Sequence, residues 1–331
     1  MGIPGNQFEK HLRPFRMYSD RYYCHSKADK IQYWKNKLAA ADPTSFPAIS
    51  NTTQVKESTS ISQLDVDPNF AKKIQAYCEQ HSITAASLFQ SAWALTLGAY
   101  SGATSVCFGY LVSGRDLPVP NISETVGAFA NMMICYADVS RSTKQSCLEF
   151  VANLHTQVIQ DLDFQHCSLA DIHHALDLPA GKALFNSIMS FQKSSGEDSS
   201  ESNTRSDIRI ESIIGEDPTE YDVAFDIAQS EKHINISLEY RLSVLSDAQA
   251  ARVLSFVQGA VDALIMAEKV PLGDVYITST EDLHDIWRSI TRFGTTHIDL
   301  TASTAQLLPT SVLESLDTMI LDGERSFLRP L

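Results

Sequence analysis

A chain of 331 residues, 44% hydrophobic and 20% charged, can bury one large core or two modest ones, which excludes disorder along its whole length. Its formal net charge of −14, with no Lys/Arg cluster to break the pattern, excludes a nucleic-acid partner over most of the surface. Its six cysteines stand singly, without a C-x-x-C pair or a Cys/His group, so neither a disulfide framework nor a zinc site is expected.

Ser26 and Asp29 have capping-box spacing, and Ile31, Trp34 and Leu38 recur at helical intervals. They predict a helix running to about Ala41 and stopped by Pro43 and Pro47. Residues 48–62 are rich in Ser and Thr and predict a loop or an edge strand. Asp67 before Pro68 is a capping side chain ahead of a first-turn proline, and Phe70, Ile74, Tyr77 and Cys78 make one apolar face. From Thr84 to Tyr100 the chain is apolar around most of a helical circumference, as a helix packed between other elements must be. Ser105 to Val112 is apolar on both alternating faces and predicts an interior strand. Pro118, Pro120 and Asn121 mark a loop before a second apolar strand, Val126 to Ala137.

An amphipathic helix is predicted over Lys144–Leu162, with Cys147, Phe150, Val151, Leu154 and Val158 on its inner face. A short helix opens at Ser168 with Asp171 in its capping turn, and Leu184 to Gln192 is a strand. The polar run Lys193–Asp207 has nothing to bury and is a surface loop. Tyr221, Val223, Phe225 and Ile227 alternate with smaller or polar residues, as do Ile234, Ile236, Leu238 and Tyr240, which predicts a hairpin. Ser246 and Gln249 then open a long helix with a stripe that includes Val253, Leu254, Val257 and Leu264. Past Lys269 the periodicity fades. The expected division is an extension at 1–25, a body at 26–268 and a tail at 269–331. Mixed helices and strands without an internal repeat argue for an α/β sandwich with a mixed sheet.

No run reaches the ~20 apolar residues that span a bilayer. The N-terminus lacks a basic-then-apolar leader, and Asn6 stands where a myristoylation signal needs Ser or Thr. A cytoplasmic protein without a membrane partner is the expectation.

Several segments, taken in order over roughly residues 30–265, resemble condensation domains of nonribosomal peptide synthetases, the fungal ones above all. They are Tyr33-Trp34 with Leu38, the helix Thr84–Gly102, Phe108-Gly-Tyr-Leu-Val-Ser-Gly-Arg-Asp116, Val126-Gly-Ala-Phe-Ala-Asn131, Gln160-Asp161-Leu-Asp-Phe164, and Leu184–Gln192. Each is weak alone, and their order carries the likeness. The resemblance implies a lobe like chloramphenicol acetyltransferase, one of two that enclose a tunnel where a donor thioester meets an acceptor amine. It implies amide or ester bond formation in secondary metabolite or siderophore biosynthesis. It also implies phosphopantetheine on a partner carrier protein, with no cofactor in this chain.

All these segments belong to the family's second lobe. The family's catalytic His-His-x-x-x-Asp-Gly lies ahead of the Tyr-Trp helix, where this chain has no room for it. A truncated condensation domain, inactive alone, is therefore expected. Thr296–Leu308 and Leu316–Glu324 resemble an internal stretch of an adenylation domain, without its phosphate loop, its later ATP motifs or a Walker sequence.

By the same resemblance Ser113, Gly114, Arg115, Asp116, Gly127, Asn131, Asp161 and Asn186 are candidate tunnel or motif residues. Each has a local reading beside it. Gly114 suits a turn with an unusual backbone angle and Arg115 a carboxylate partner, while Asn131 and Asn186 suit amides that tie backbone groups together. Asp161 and Asp163 suit solvated acids at a helix end. His173 and His174 could serve aminolysis as a base. Yet Asp177 falls one residue short of the family spacing and Leu178 replaces glycine, so an ordinary helix-surface His–Asp pair is the expectation. Three other readings stand beside the truncated enzyme. One is a docking module that binds a carrier protein or the missing first lobe through an apolar patch. Another is the barely stable product of a decayed gene. The last is a self-standing acyltransferase that uses His173 or His174 at a subunit interface.

Overall fold

The computed structural model describes residues 25–50, 58–115, 122, 129–140, 144–179, 182–193, 220–230, 233–275 and 277. Helix α1 (Lys27–Lys37) opens with the expected reciprocal cap, in which Ser26 Oγ accepts from the Asp29 N–H and the Asp29 carboxylate accepts from the Ser26 N–H. It ends at Lys37, earlier than predicted, because Leu38 leaves helical geometry. Strand β1 (Thr59–Asp65) follows, then α2 (Pro68–His81) under its Asp67 cap, and α3 (Ala85–Ser101) under Thr84.

Strands β2 (Ser105–Val112) and β3 (Asn131–Asp138) form an antiparallel pair. The predicted strand start at Val126 lies outside the described residues. Helix α4 (Cys147–Leu162) carries a reciprocal cap between Ser146 and Glu149, and the short α5 (Leu169–Ala175) begins at Ser168. Strands β4 (Ser187–Lys193), β5 (Val223–Gln229) and β6 (Ile234–Arg241) lead to α6 (Asp247–Met266), capped by Ser246 and Gln249. A 3-10 turn spans Leu272–Asp274.

The six strands make one mixed sheet in the order β1-β6-β5-β4-β2-β3. Its centre is parallel (β5, β4, β2) and both flanks are antiparallel, the β5–β6 hairpin being the predicted one. Helix α3 is buried from Ser87 to Gly98, between the sheet and α2, α4 and α6. Its Phe89 and Trp93 face Phe225 of β5, Trp93 stacking on it at 5.0 Å. The same core holds Tyr110, Met189 and Leu238 from the helix-facing side of the strands.

The packed body carries on past 268. Cys147 N–H donates to Val270, Leu272 N–H donates to Gln145, and Leu272 and Val275 are buried. Cys78, Cys107, Cys135, Cys147 and Cys167 are free thiols. Among the described residues no group of His, Cys, Asp and Glu could hold a metal, and no helix is long and apolar enough to cross a membrane. The stretches like an adenylation domain lie outside the described residues.

Candidate functional site

Val112 pairs with Asn131, so the residues leaving β2 and those entering β3 stand side by side. In that turn Gly114 takes φ +64, and a Cβ there would sit 1.9 Å from the Phe129 carbonyl oxygen. Only glycine allows this approach. The Arg115 guanidinium lies over the Phe129 ring, 4.5 Å from its centroid, and Nη1 donates to the Ile122 carbonyl. Arg115 N–H donates to Ser113 Oγ at 3.2 Å. Asn131 Nδ2 donates to the Gln165 carbonyl, and its Oδ1 accepts from Met132 N–H. Asp116 and Gly127 lie outside the described residues.

Gln165 leads to a polar cluster at the end of α4. Asp161 is 1% exposed and accepts from Tyr33 Oη at 2.6 Å and from Lys37 Nζ at 2.6 and 2.5 Å. Trp34 Nε1 donates to the Phe164 carbonyl, and the Tyr33 and Phe164 rings stack at 3.8 Å. Burial pushes the Asp161 carboxyl above its ordinary value, while the Lys37 charge and the donors on Lys37 and Tyr33 pull against it. Burial, then the Asp161 carboxylate, drives the Tyr33 hydroxyl far up. The expectation that Asp161 is a solvated acid is corrected here: α1 folds over it and brings an ammonium and a phenol to its two oxygens. Its neighbour Asp163 does remain exposed. Tyr110, on β2, is buried in the field of Asp161, and among the described residues neither its hydroxyl nor Gln165 Oε1 has a hydrogen-bond partner.

Asn186 sits apart from this corner. The parallel register, Gly109 with Ile188, puts it level with Cys107, about 20 Å along β2 from Ser113. Its Oδ1 accepts from Phe46 N–H at 2.6 Å, while Nδ2 donates to Phe46 O at 3.1 Å and Asp222 Oδ2 at 2.8 Å. It ties backbone groups together, as expected of such an amide.

His173 and His174 ride on α5, which packs on α1 beside the Lys27–Asp171 ion pair. His174 is exposed, whereas His173 Nε2 is buried and has no hydrogen-bond partner among the described residues. The expected pairing with Asp177 is corrected: α5 ends at Ala175, and Asp177 turns into the left-handed region at φ +52. Its carboxylate thereby loses the helical spacing that would face either imidazole, and among the described residues none joins them. Hydrogen bonds from Lys27 and then Ser168 hold the Asp171 carboxyl below its ordinary value, and His174 adds to that only last. Another hydroxyl–imidazole pair, Ser87 Oγ and His155 Nδ1 at 2.9 Å, sits at the α3 cap with Ser87 buried and His155 partly exposed.

The motif turn, Asn131 and the end of α4 therefore converge on one corner, held together by hydrogen bonds among the described residues. Sequence reading missed Lys37, Tyr110 and Gln165. Tyr110 was visible within the Phe108–Asp116 motif, but Lys37 and Gln165 carried no signal of their own.

Residues 5–287 match the family model described as a condensation domain. This chain belongs to the condensation-domain family. It is 36% identical over 257 residues to the nonribosomal peptide synthetase ungA' of Aspergillus campestris, covering 77% of this chain and 3% of that protein. To the synthetase atnA of Emericella nidulans it is 32% identical over 258 residues, again 77% of this chain and 3% of that protein. The chain thus spans about 3% of the length of these relatives. Its fold is similar to the X-domain in a complex with OxyB from teicoplanin biosynthesis, with TM-score 0.63 and 19% identity over 76% of this chain and 56% of that one. It is also similar to the first condensation domain of the calcium-dependent antibiotic synthetase, with TM-score 0.57 and 13% identity over 77% and 55%. These likenesses settle the chloramphenicol-acetyltransferase-like mixed sheet of the condensation family.

Proposed function

We propose that this condensation-type chain supplies one wall of a tunnel for amide or ester bond formation, between a thioester donor and an acceptor amine or alcohol, in secondary metabolite biosynthesis. Both substrates would arrive on phosphopantetheine arms of partner carrier proteins, in the cytoplasm. The observation that carries this reading is the corner where the Ser113–Arg115 turn, Asn131 and the end of the Asp161 helix come together, a scaffold pinned by hydrogen bonds among the described residues. The 331 residues contain no His-His-x-x-x-Asp-Gly, so the base would come from a first lobe acting with this one. Residues 296–324 would be a remnant of adenylation-domain type.

The test is to incubate the purified chain with donor-loaded and acceptor-loaded carrier proteins, with and without a separately made first lobe that holds the histidine motif. Product only in the presence of that lobe is expected. Product from the chain alone, abolished by the double change His173→Ala and His174→Ala, would instead establish the self-standing acyltransferase.

A docking role for the same lobe has support in the sheet face turned away from the helices. Gly109, Met132 and Ile188 are packed together there, because a Cβ on Gly109 would meet Met132 Sδ at 2.7 Å and Ile188 Cγ2 at 3.0 Å. Beside them Leu111 is exposed. That apolar strip is where the first lobe would rest, and a pull-down with the lobe against a Leu111→Lys variant tests it.

A further inference from the structure

Strand β1 ends the sheet, and its outer edge is open among the described residues. Leu242 N–H donates to Ser58 C=O and Val66 N–H donates to Ile234 C=O, which fixes the phase of the β1–β6 ladder. Antiparallel pairs alternate. Hence Ser60, Ser62 and Leu64 turn their backbone groups toward β6, and Thr59, Ile61, Gln63 and Asp65 turn theirs outward. All four outward residues are exposed, Ile61 at 60%. Lysine and proline, the residues that blunt such edges, are absent from the strand.

An open groove of about 470 Å³ lies at the Leu64 end of the same strand on the helix side, lined by Leu64, Phe70, Ser255, Gln258, Gly259 and Asp262. Its walls are apolar at Leu64 and Phe70 and acidic at Asp262. On the opposite face Glu239 stands across from Ile61, and Asp65 closes the strand. The whole chain carries −14.

We propose that the β1 edge accepts an extended, basic segment of a partner protein as an added strand, with one apolar side chain in the Leu64–Phe70 groove and Lys or Arg side chains facing Asp262 and Asp65. Main-chain hydrogen bonds from the four outward residues supply affinity, while groove and charges choose the sequence. A second copy of the chain fits worse, because pairing β1 with itself gathers two sets of Asp65, Glu239 and Asp262 at one seam, and like charges across strands repel.

The test uses the full chain and three short synthetic peptides. One alternates Val and Thr between terminal lysines, one replaces the lysines by glutamates, and one is the basic peptide N-methylated at alternate amides. Calorimetry and amide exchange should show the basic peptide binding at least about ten-fold tighter than the other two and protecting Thr59, Ile61, Gln63 and Asp65. Ile61→Pro removes an outward donor without touching the β1–β6 ladder and should abolish binding. Asp262→Lys, on an exposed helix position, should weaken binding by about ten-fold. If Ile61→Pro does not fold, Asp262→Lys decides alone. Equal binding of the acidic and basic peptides overturns the proposal, as does indifference to Asp262→Lys. So does sedimentation showing a dimer in which those amides are protected without peptide.

Discussion

Replacing Asp161 by alanine probes the tie between α1 and α4. The change leaves the Lys37 ammonium, 13% exposed, and the Tyr33 hydroxyl without the carboxylate that accepts from both. Breaking a buried pair by removing one partner costs about 3–5 kcal/mol, a large share of the ~5–15 kcal/mol that hold a domain together. At about 2–4 °C per kcal/mol for a body of this size, the midpoint of thermal unfolding should fall by roughly 10 °C. Lys37→Met should cost less, about 1–3 kcal/mol, since Tyr33 still donates to Asp161 and burial already favours its protonated form. The double variant Lys37→Met with Asp161→Ala should fall short of the sum of the two single costs by at least ~1 kcal/mol. Urea titrations followed by circular dichroism measure all of these. Asp163→Ala is the control, within ~0.5 kcal/mol of wild type. If Asp161→Ala matches that control, the carboxylate is not held as described.

Gly114→Ala should cost at least ~1–2 kcal/mol from its left-handed backbone alone. Its clash should also displace Phe129, seen as chemical-shift changes around the turn. Asn186→Ala removes the three hydrogen bonds joining Phe46 to Asp222 and should cost about 2 kcal/mol by urea unfolding. Burial lowers the His155 pKa, so the unfolded chain binds that proton more tightly. Stability should therefore be full above the ordinary histidine value and decline as pH falls through the lowered one, and His155→Gln should flatten that decline in pH-dependent melts. Burial pushes the Cys78 and Cys147 thiols up to about 11 and Cys107 to about 12. A thiol reagent at pH 8 should leave these three untouched until urea unfolds the chain.

Local chemistry explains what the sequence revealed. The Ser26–Asp29 and Ser246–Gln249 boxes, the Asp67–Pro68 start and the all-apolar α3 are patterns within a few residues, and each appeared where its pattern lies. Ser146 and Glu149 form the same box, overlooked because the apolar period ran on ahead of Cys147. The fate of Asp161 was hidden because its partners lie 128 and 124 residues upstream. The His–Asp pairing failed on one backbone angle at Asp177, which helical spacing cannot foresee.

Helix α3 has no wet side, its middle being covered from Ser87 to Gly98. A cylinder of that kind cannot wait in water, yet its cover includes α6, which begins only at Asp247. A nascent chain must therefore keep a greasy rod sheltered, in a chaperone or a loose globule, while the intervening residues are synthesised. Any split of the gene between the two helices should give insoluble halves, so breakpoints in natural or engineered recombinants of this chain belong outside residues 85–266.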